Sequence, residues 1–407
     1  MRNVRAASFA LGLALLALAS PAQALEYGMP VSLRQMTLYT VMPEYYGSPR
    51  DQGYAALRLR PEIYVKGNAV RFDAGLEAGA GFSTAGAAVG SGLSPFGAPR
   101  PLRVVDTRLE ARDAGAKNLD ASLDLARLDV QVSTPVLDLD IGRQPVALGS
   151  SHFLSVLDVL APFGPGDLDA TFKPGIDALR ARRALGDRAE VELILAASDP
   201  IDDFATLLRS RFSMEWADFE LITGRFRERI MGGVGLETEA GPVGLWAEGA
   251  VFQQIDPVNY AWSDRVALSG TVGAEGRPHD KLMLSGGALW QDFGARTDDQ
   301  YFELLQHSTP HGEGWVYLLG AAHGFAAMAW QAHPLVSVSG SVMVNLLDGS
   351  TMSQPAVGVN VADNADINVF GWICTGRDTR LTSVPPAIGS EFGLYPSGGG
   401  LYARWFF

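Results

Sequence analysis

The stretch Gly398-Gly-Gly-Leu-Tyr-Ala-Arg-Trp-Phe-Phe407 decides the fold. Its alternation places Leu401, Ala403, Trp405 and Phe407 on one face of an extended segment, and Tyr402, Arg404 and Phe406 on the other. It reads as a half-buried strand that finishes on an aromatic residue. Few soluble folds choose that ending, so the rest of the chain has to explain it.

At the opposite end Arg2 and Arg5 make a basic head, Phe9 to Ala19 an apolar run, and Ala22-Gln23-Ala24 a small-residue cleavage site. Together they predict a secretory signal peptide over residues 1–24, removed after Ala24. The apolar run is too short to span a bilayer, and no other segment approaches the roughly 18 continuous apolar residues of a membrane helix. The single cysteine, Cys374, excludes an internal disulfide framework, so stability must come from one large closed structure or from core packing. Composition favours the closed structure. Only 19% of the 407 residues are charged, Gly occurs 46 times, and the mean hydropathy is near zero. That balance is expected when every strand shows one face to lipid and the other to water. A net charge of −13 argues against nucleic acid as a partner.

From residue 31 onward, segments of about ten residues with period-two polarity are separated by turns that alternate between short and long. Within Leu57 to Lys66, Leu57, Leu59, Ile63 and Val65 share one face, Arg58, Arg60, Glu62 and Lys66 the other, and Gly67-Asn68 turns the chain. Further tight turns are expected at Thr134-Pro135, Gly186-Asp187, Ala217-Asp218, Ala240 to Pro242, Arg277 to Asp280, His333-Pro334 and Asp363-Asn364. Long connections, expected to be extracellular loops, cover residues 83–117, 145–174, 292–313 and 377–393. Counting back from Phe407 with every short turn on one side gives eighteen strands, or sixteen if two weak segments are loops. The fold expected is all-β: a single transmembrane antiparallel up-and-down β-barrel over residues 25–407. A secreted propeller would instead repeat every 40 residues or so, and no such repeat is present.

Tyr402, Trp405 and Phe407, with Leu401 and Phe406, resemble the closing strand of Gram-negative outer-membrane β-barrels. The resemblance implies a place in the cell outer membrane, contact with outer-membrane lipid, and recognition of this strand by the barrel-assembly machinery. Trp246, Trp262, Trp290, Trp315, Trp330, Trp372 and Trp405, with Tyr39, Tyr64, Tyr260 and Tyr317, fall near strand ends. They are expected in aromatic girdles at the two membrane interfaces.

A barrel of this size leaves an aqueous channel, so function lies on its inner wall. The residues expected to line it are Arg58, Arg60, Arg71, Asp120, Asp124, Asp138, Asp140, Arg143, Arg180, Arg182, Glu190, Glu192, Arg209, Arg211, Arg225 and Arg227. After Gly241 the polar faces turn to Ser, Thr, Gly and Asn. One reading pairs the opposite charges across strands and keeps the lumen wet. The sharper reading makes Arg58, Arg60, Arg180, Arg182, Arg209 and Arg211 a basic ladder that orients polar or anionic solutes.

Gly142-Arg143-Gln144, a long loop, and a strand returning at Gly175-Ile176-Asp177 resemble the alginate-export type of outer-membrane porin. That resemblance implies an Arg-lined eighteen-stranded barrel passing an anionic polysaccharide. The loop over 145–174 is apolar at first (Phe153, Leu154, Val156, Leu157, Val159, Leu160, Phe163) and also carries Asp158, Asp167 and Asp169. Loops of such length are usually functional. It is expected to fold inward and constrict the pore, the alternative being a cap on neighbouring loops.

No catalytic set assembles from the six histidines, His152, His279, His307, His311, His323 and His333. His307 and His311 are four apart, yet Pro310 works against a helix presenting both to a metal. No enzyme activity, metal or cofactor is therefore expected. The function expected is a passive outer-membrane channel for small polar or anionic solutes. The alternatives are a barrel scaffold or exporter for a polymer or partner protein, and a barrel-embedded outer-membrane hydrolase.

Overall fold

The computed structural model describes residues 25–41, 51–84, 101–112, 118–151, 153–164, 172–199, 203–255, 262–377, 379 and 388–407. The expected signal peptide, His152, Asp167, Asp169 and Tyr260 lie outside these residues. In chain order the strands are β1 (Glu26–Gly28), β2 (Val31–Val41), β3 (Asp51–Lys66), β4 (Val70–Ser83), β5 (Leu109–Arg112), β6 (Leu119–Ser133) and β7 (Asp138–Gln144). There follow β8 (Ile176–Ala184), β9 (Ala189–Ala197), β10 (Phe204–Ser213), β11 (Ala217–Phe226), β12 (Arg229–Ala240), β13 (Val243–Ile255) and β14 (Trp262–His279). The remainder are β15 (Leu282–Gln291), β16 (Ala322–His333), β17 (Val336–Asn345), β18 (Thr351–Ala362), β19 (Ala365–Thr375) and β20 (Ser397–Phe406).

All pair antiparallel, and β20 meets β2 from Ser32↔Phe406 to Val41↔Ser397, which closes a ring of eighteen staves. Closure removes the free edges that an open sheet of this size would expose. β1 and β5 are not staves. β1 lies along one end of β3. β5 pairs with Asp120 to Leu123 of β6 on the side where β7 has already stopped, since β7 reaches only as far as Leu128.

Alternation sets the two faces of the wall. In β2 Ser32, Arg34, Met36, Leu38 and Thr40 are buried, while Gln35, Thr37 and Tyr39 are exposed. Leu57, Leu59, Leu221, Val251, Val272, Leu284 and Val357 are large, apolar and exposed on the outer face, where a barrel in a membrane meets lipid. The two glycines at Gly398 and Gly400 let the closing strand pack. A Cβ at Gly398 would come within 2.3 Å of the Tyr39 carbonyl and 2.5 Å of the Trp372 ring, and one at Gly400 within 2.4 Å of the Thr37 carbonyl.

The structure departs from the sequence reading at three places. The turn joining β10 to β11 is Met214 to Trp216 rather than Ala217-Asp218, because Phe212 stacks on Phe219 at 5.0 Å and Ser213 pairs with Asp218. β16 begins at Ala322, so the connection expected over 292–313 runs on to residue 321. The β11–β12 connection, on the rim of the long loops, is itself tight: Arg227-Glu228, with Arg227 at φ 54.

The long connections fill much of the barrel on their side. Leu102, Val146, Leu148, Leu157, Val159 and Leu160 pack with Ile176, Ile194, Leu207, Ile222, Met231 and Phe252 of β8 to β13. The connection between β15 and β16 carries two short helices, α1 (Gln300–His307) and α2 (Thr309–Gly312). Its Tyr301, Leu318 and Leu319 join Ile388, Phe392 and Leu394 against Met36, Leu38, Tyr54 and Trp372. The girdle expectation is corrected accordingly. Trp290, Trp330 and Tyr39 are exposed, but Trp246, Trp372 and Tyr317 are buried, and Trp315 packs among Phe226, Phe252 and Phe293. Among the described residues no helix is long and apolar enough to cross a membrane.

Candidate functional site

Register from strand to strand determines which side chains face the bore. Arg34 pairs with Arg58 on one side and with Arg404 on the other, and Ser32 pairs with Arg60. Three arginines therefore stand abreast on β3, β2 and β20, with Arg60 one step along the same face. Continuing round the ring, Arg71, Asp120, Asp124, Asp138, Asp140, Arg180, Arg182, Glu190, Glu192, Arg209 and Arg211 lie on this inner face. Asp120 stands opposite Gly81, and Asp138 opposite Arg182.

Arg143, Arg225 and Arg227 sit elsewhere. Arg143 shares the outward face of β7 with Ile141, and its guanidinium is spent on the wall. It donates to both Asp177 oxygens (2.7 and 3.0 Å), the Thr107 hydroxyl (2.6 Å), and the carbonyls of Leu125 (3.0 Å) and Val105 (2.7 Å). These bonds tie the segment leading into β5 over the place where β7 ends. Arg225 alternates with the buried Ile222 and Phe226 of β11, so it falls on the outer face, with its Cζ 4.3 Å from the Phe204 ring centroid. Arg227 lies in the rim turn and pairs with Asp203.

Most inner-wall charges are neutralised by a neighbour. Arg180 donates to Glu192 at 2.6 Å, Arg182 to Asp140 at 2.8 Å, and Arg209 to both oxygens of Glu220 at 2.8 and 3.1 Å. Arg211 pairs with Glu190, and Arg71 with Asp73 at 2.7 and 2.9 Å. Cross-strand pairing of this kind is the bland reading, and it describes β7 to β11 well. Arg127 and Asp129, bonded at 2.7 Å, were not among the expected lining residues. A bulge in β6, where Gly75 faces Arg127 but Leu76 faces Leu125, reverses the alternation after Asp124 and turns both inward.

The loop between β7 and β8 meets the inner wall on two sides. On one, the carboxylate of Glu248, on β13, accepts the N–H groups of Ser150 (2.6 Å), Ser151 (2.6 Å) and Val156 (2.9 Å) and the Ser155 hydroxyl (2.8 Å). Glu220, on β11, accepts the Gly149 N–H at 3.1 Å. Gly149 makes this cradle possible. Its φ is +82, and a Cβ there would sit 2.1 Å from Ser155 Oγ and 2.6 Å from Glu248 Oε1. Beneath it the wall is glycine too, since a Cβ on Gly233 would lie 2.3 Å from Leu157 Cδ2. On the other side, Phe172 lies against Arg34 and Arg60, on β2 and β3. β3 and β13 are half a turn of the ring apart. Within the loop Lys173 pairs with Asp158, whose carboxyl is pushed up by burial against the opposing pull of Lys173.

A second buried polar cluster ties three connections together on the rim of the long loops. Glu391 accepts the N–H groups of Leu319 (2.7 Å) and Gly320 (3.0 Å), meets His323 Nε2 at 2.7 Å, and accepts from Asn345 Nδ2 at 2.8 Å. Asp348 accepts from the Tyr301 hydroxyl and the Glu391 N–H, each at 2.7 Å. Burial opposes ionisation of Asp348, yet its hydrogen bonds from Ser350, Glu391 and Tyr301 prevail and hold it below the usual carboxylate range. His311 is buried, with Nδ1 2.6 Å from the Ser308 hydroxyl and Nε2 2.9 Å from the Leu318 carbonyl. It is a packed structural imidazole, and no group of three His, Cys, Asp or Glu able to hold a metal occurs among the described residues.

No protein-family model matches the chain. No curated protein matches its sequence. Solved structures do match. Acinetobacter baumannii OccAB4 aligns with a TM-score of 0.56 at 10% identity, over 95% of this chain and 100% of that one. Pseudomonas aeruginosa OccK8 (OprE) gives 0.55 at 8% identity, over 94% and 98%. Pseudomonas aeruginosa OccK2 (OpdF), crystallised in complex with glucuronate, gives 0.57 at 9% identity, over 94% and 98%. The resemblance of Asp140 to Ala184 to alginate-export porins gains no support from these matches. From one end of the described residues to the other, the chain shares its barrel fold with the Occ structures.

Proposed function

We propose that this protein is an outer-membrane channel through which small polar and anionic solutes diffuse, with the loop over 145–174 as its constriction. The observation that carries the reading is the loop's attachment to opposite walls, at Glu220 and Glu248 on one side and at Arg34 and Arg60 on the other. A loop held in this way narrows the bore. An open cavity of about 490 Å³ lies beside it, lined in part by Ser150, Glu190, Arg209, Arg211 and Glu220.

The register row of Arg58, Arg34 and Arg404 supports a preference for anions, because it concentrates three cations abreast on the inner face. Within it Arg404 is paired with Asp366 at 2.9 Å. The glucuronate bound in the OccK2 structure is a small sugar acid, a solute of the class this row suits. In this reading the long connections face outside, residues 1–24 direct export, and the aromatic residues Tyr402, Trp405 and Phe407 of β20 are what the barrel-assembly machinery reads.

The test is uptake into proteoliposomes of small carboxylated sugars against neutral sugars of equal size. Faster entry of the acids is expected. Equal rates at low salt would remove the anion preference, and no uptake of either would remove the channel.

A further inference from the structure

A second cavity, of about 370 Å³, lies between the inner faces of β13 to β15, the loop between β7 and β8, and the connection between β15 and β16. That volume admits a ligand of one or two rings. Much of its wall is aromatic: Phe252 comes from β13, Phe153 and Phe163 from the loop, and Trp315 and Tyr317 from the connection. Such side chains hold a further ring by offset or edge-on packing. They already hold neighbouring rings in this way, Phe252 against Trp315 at 5.1 Å and Phe153 against Phe325 at 4.4 Å.

One polar spot interrupts the lining. Ser269 on β14 and Gln291 on β15 both border the cavity and stand directly opposite each other in register, so their side chains leave the wall about 5 Å apart. The Gln291 amide is oriented by its Nε2, which donates to the carbonyls of Leu318 at 2.8 Å and Gly320 at 2.9 Å. Its Oε1 is therefore left as an acceptor. Neither that oxygen nor the Ser269 hydroxyl is bonded to another group among the described residues, and both keep accessible surface. A hydroxyl beside an acceptor matches a ligand hydroxyl, which can donate to Gln291 Oε1 while accepting from Ser269. The same pair rejects a carboxylate, which has no proton for Oε1 and would set its charge against an amide oxygen. Lys173, the cation of the lining, is paired with Asp158.

We propose that this cavity binds small uncharged phenols, with the ring among the aromatic side chains and the hydroxyl on Ser269 and Gln291. The site is distinct from the arginine row and takes a different class of ligand. It also touches the loop, because the cavity wall is shared by the loop and the connection, which Tyr317 joins by donating to the Pro162 carbonyl at 2.7 Å. A phenol seated there bridges the two. At ten times its dissociation constant, and binding the docked form alone, it lowers the undocked population about 11-fold.

Fluorine NMR titration of the intact barrel in lipid nanodiscs compares para-fluorophenol, fluorobenzene and para-fluorobenzoate, with empty nanodiscs as the correction for partition into lipid. Heat-modifiable migration on gels confirms that each barrel is closed. Saturable binding of para-fluorophenol is expected, with fluorobenzene about 5- to 10-fold weaker for want of the hydroxyl. Para-fluorobenzoate should not displace the phenol. Ser269→Ala should weaken para-fluorophenol by about 2- to 10-fold, the value of one hydrogen bond, and leave fluorobenzene unchanged. Equal affinity for para-fluorophenol and fluorobenzene in the wild type overturns the proposal, as does displacement by para-fluorobenzoate or a closed Ser269→Ala barrel that binds the phenol as wild type does. Conductance is not read in this experiment, so the channel reading stands or falls separately.

Discussion

Replacing Glu248 with alanine should release the loop between β7 and β8 from the wall. The side chain is 4% exposed and accepts three backbone N–H groups and one hydroxyl, all from Ser150 to Val156. Hydrogen bonds to an ionised acceptor contribute roughly 1.5–3 kcal/mol each, and a buried N–H left without an acceptor costs about 1–3 kcal/mol. Water entering the vacated site recovers part of this. Orphaning three amides therefore costs the docked loop at least about 3 kcal/mol. At 1.4 kcal/mol per tenfold, the undocked population rises by about 100-fold. The barrel itself should survive, because its staves are held by continuous ladders on either side of Glu248. The assay is single-channel recording with limited proteolysis of the folded protein. Glu248→Ala should show higher and noisier conductance and new cleavage within residues 145–174. Quiet, wild-type conductance with a protease-resistant loop would refute the reasoning, since it would mean that the four bonds do not hold the loop.

Other substitutions probe the loop seat, the arginines of the wall and the buried imidazole. Gly233→Val should displace the loop by another route, because its Cβ alone would meet Leu157 Cδ2 at 2.3 Å; conductance should rise as in Glu248→Ala, and an unaltered trace would mean that Leu157 does not seat there. Arg182→Ala should change ion preference little, since Arg182 is neutralised by Asp140 at 2.8 Å; a clear loss of anion preference would return the basic ladder to β8. For pH, burial lowers the pKa of His311 from its ordinary 6.5, so its stabilising effect is complete above 6.5 and is lost as pH falls toward the lowered folded value. Hydrogen exchange at residues 308–319 should therefore speed up on acidification relative to exchange in the β2–β20 seam, and His311→Gln should abolish the difference. Equal protection across that range would show that the imidazole does not hold this connection.

Much of the barrel could be read in the chain because alternation and turn residues are local. Leu57 to Lys66, with Gly67-Asn68 after it, carries its faces and its turn in a dozen residues. The inner wall was legible along most staves, although Arg225, expected on it, falls on the outer face of an unbroken β11. Alternation failed at Asp124, where one bulge turned Arg127 and Asp129 inward, and at Phe226, where a tight rim turn took Arg227 out of the strand. Arg143 misled because its face of β7 is covered by the segment leading into β5, a contact that no spacing announces. Arg34 sat in a stretch already read as a strand, and only its register with Arg58 and Arg404 marks it. Glu248 and Glu391 were invisible for a different reason. Each is one carboxylate in an ordinary segment, and what makes it matter is a set of amides up to 98 residues away. Loops that return into a barrel bind by such distant contacts, which alternation cannot encode.

The reversal potential of the purified wild-type protein in a planar bilayer, measured under a tenfold potassium chloride gradient, decides whether the barrel is an anion-preferring channel. Discrete channels are expected, with a reversal potential displaced toward that of chloride and a smaller displacement at high salt as the arginine row is screened. A displacement toward potassium, or a bilayer that stays silent with correctly closed barrels in it, would overturn that function.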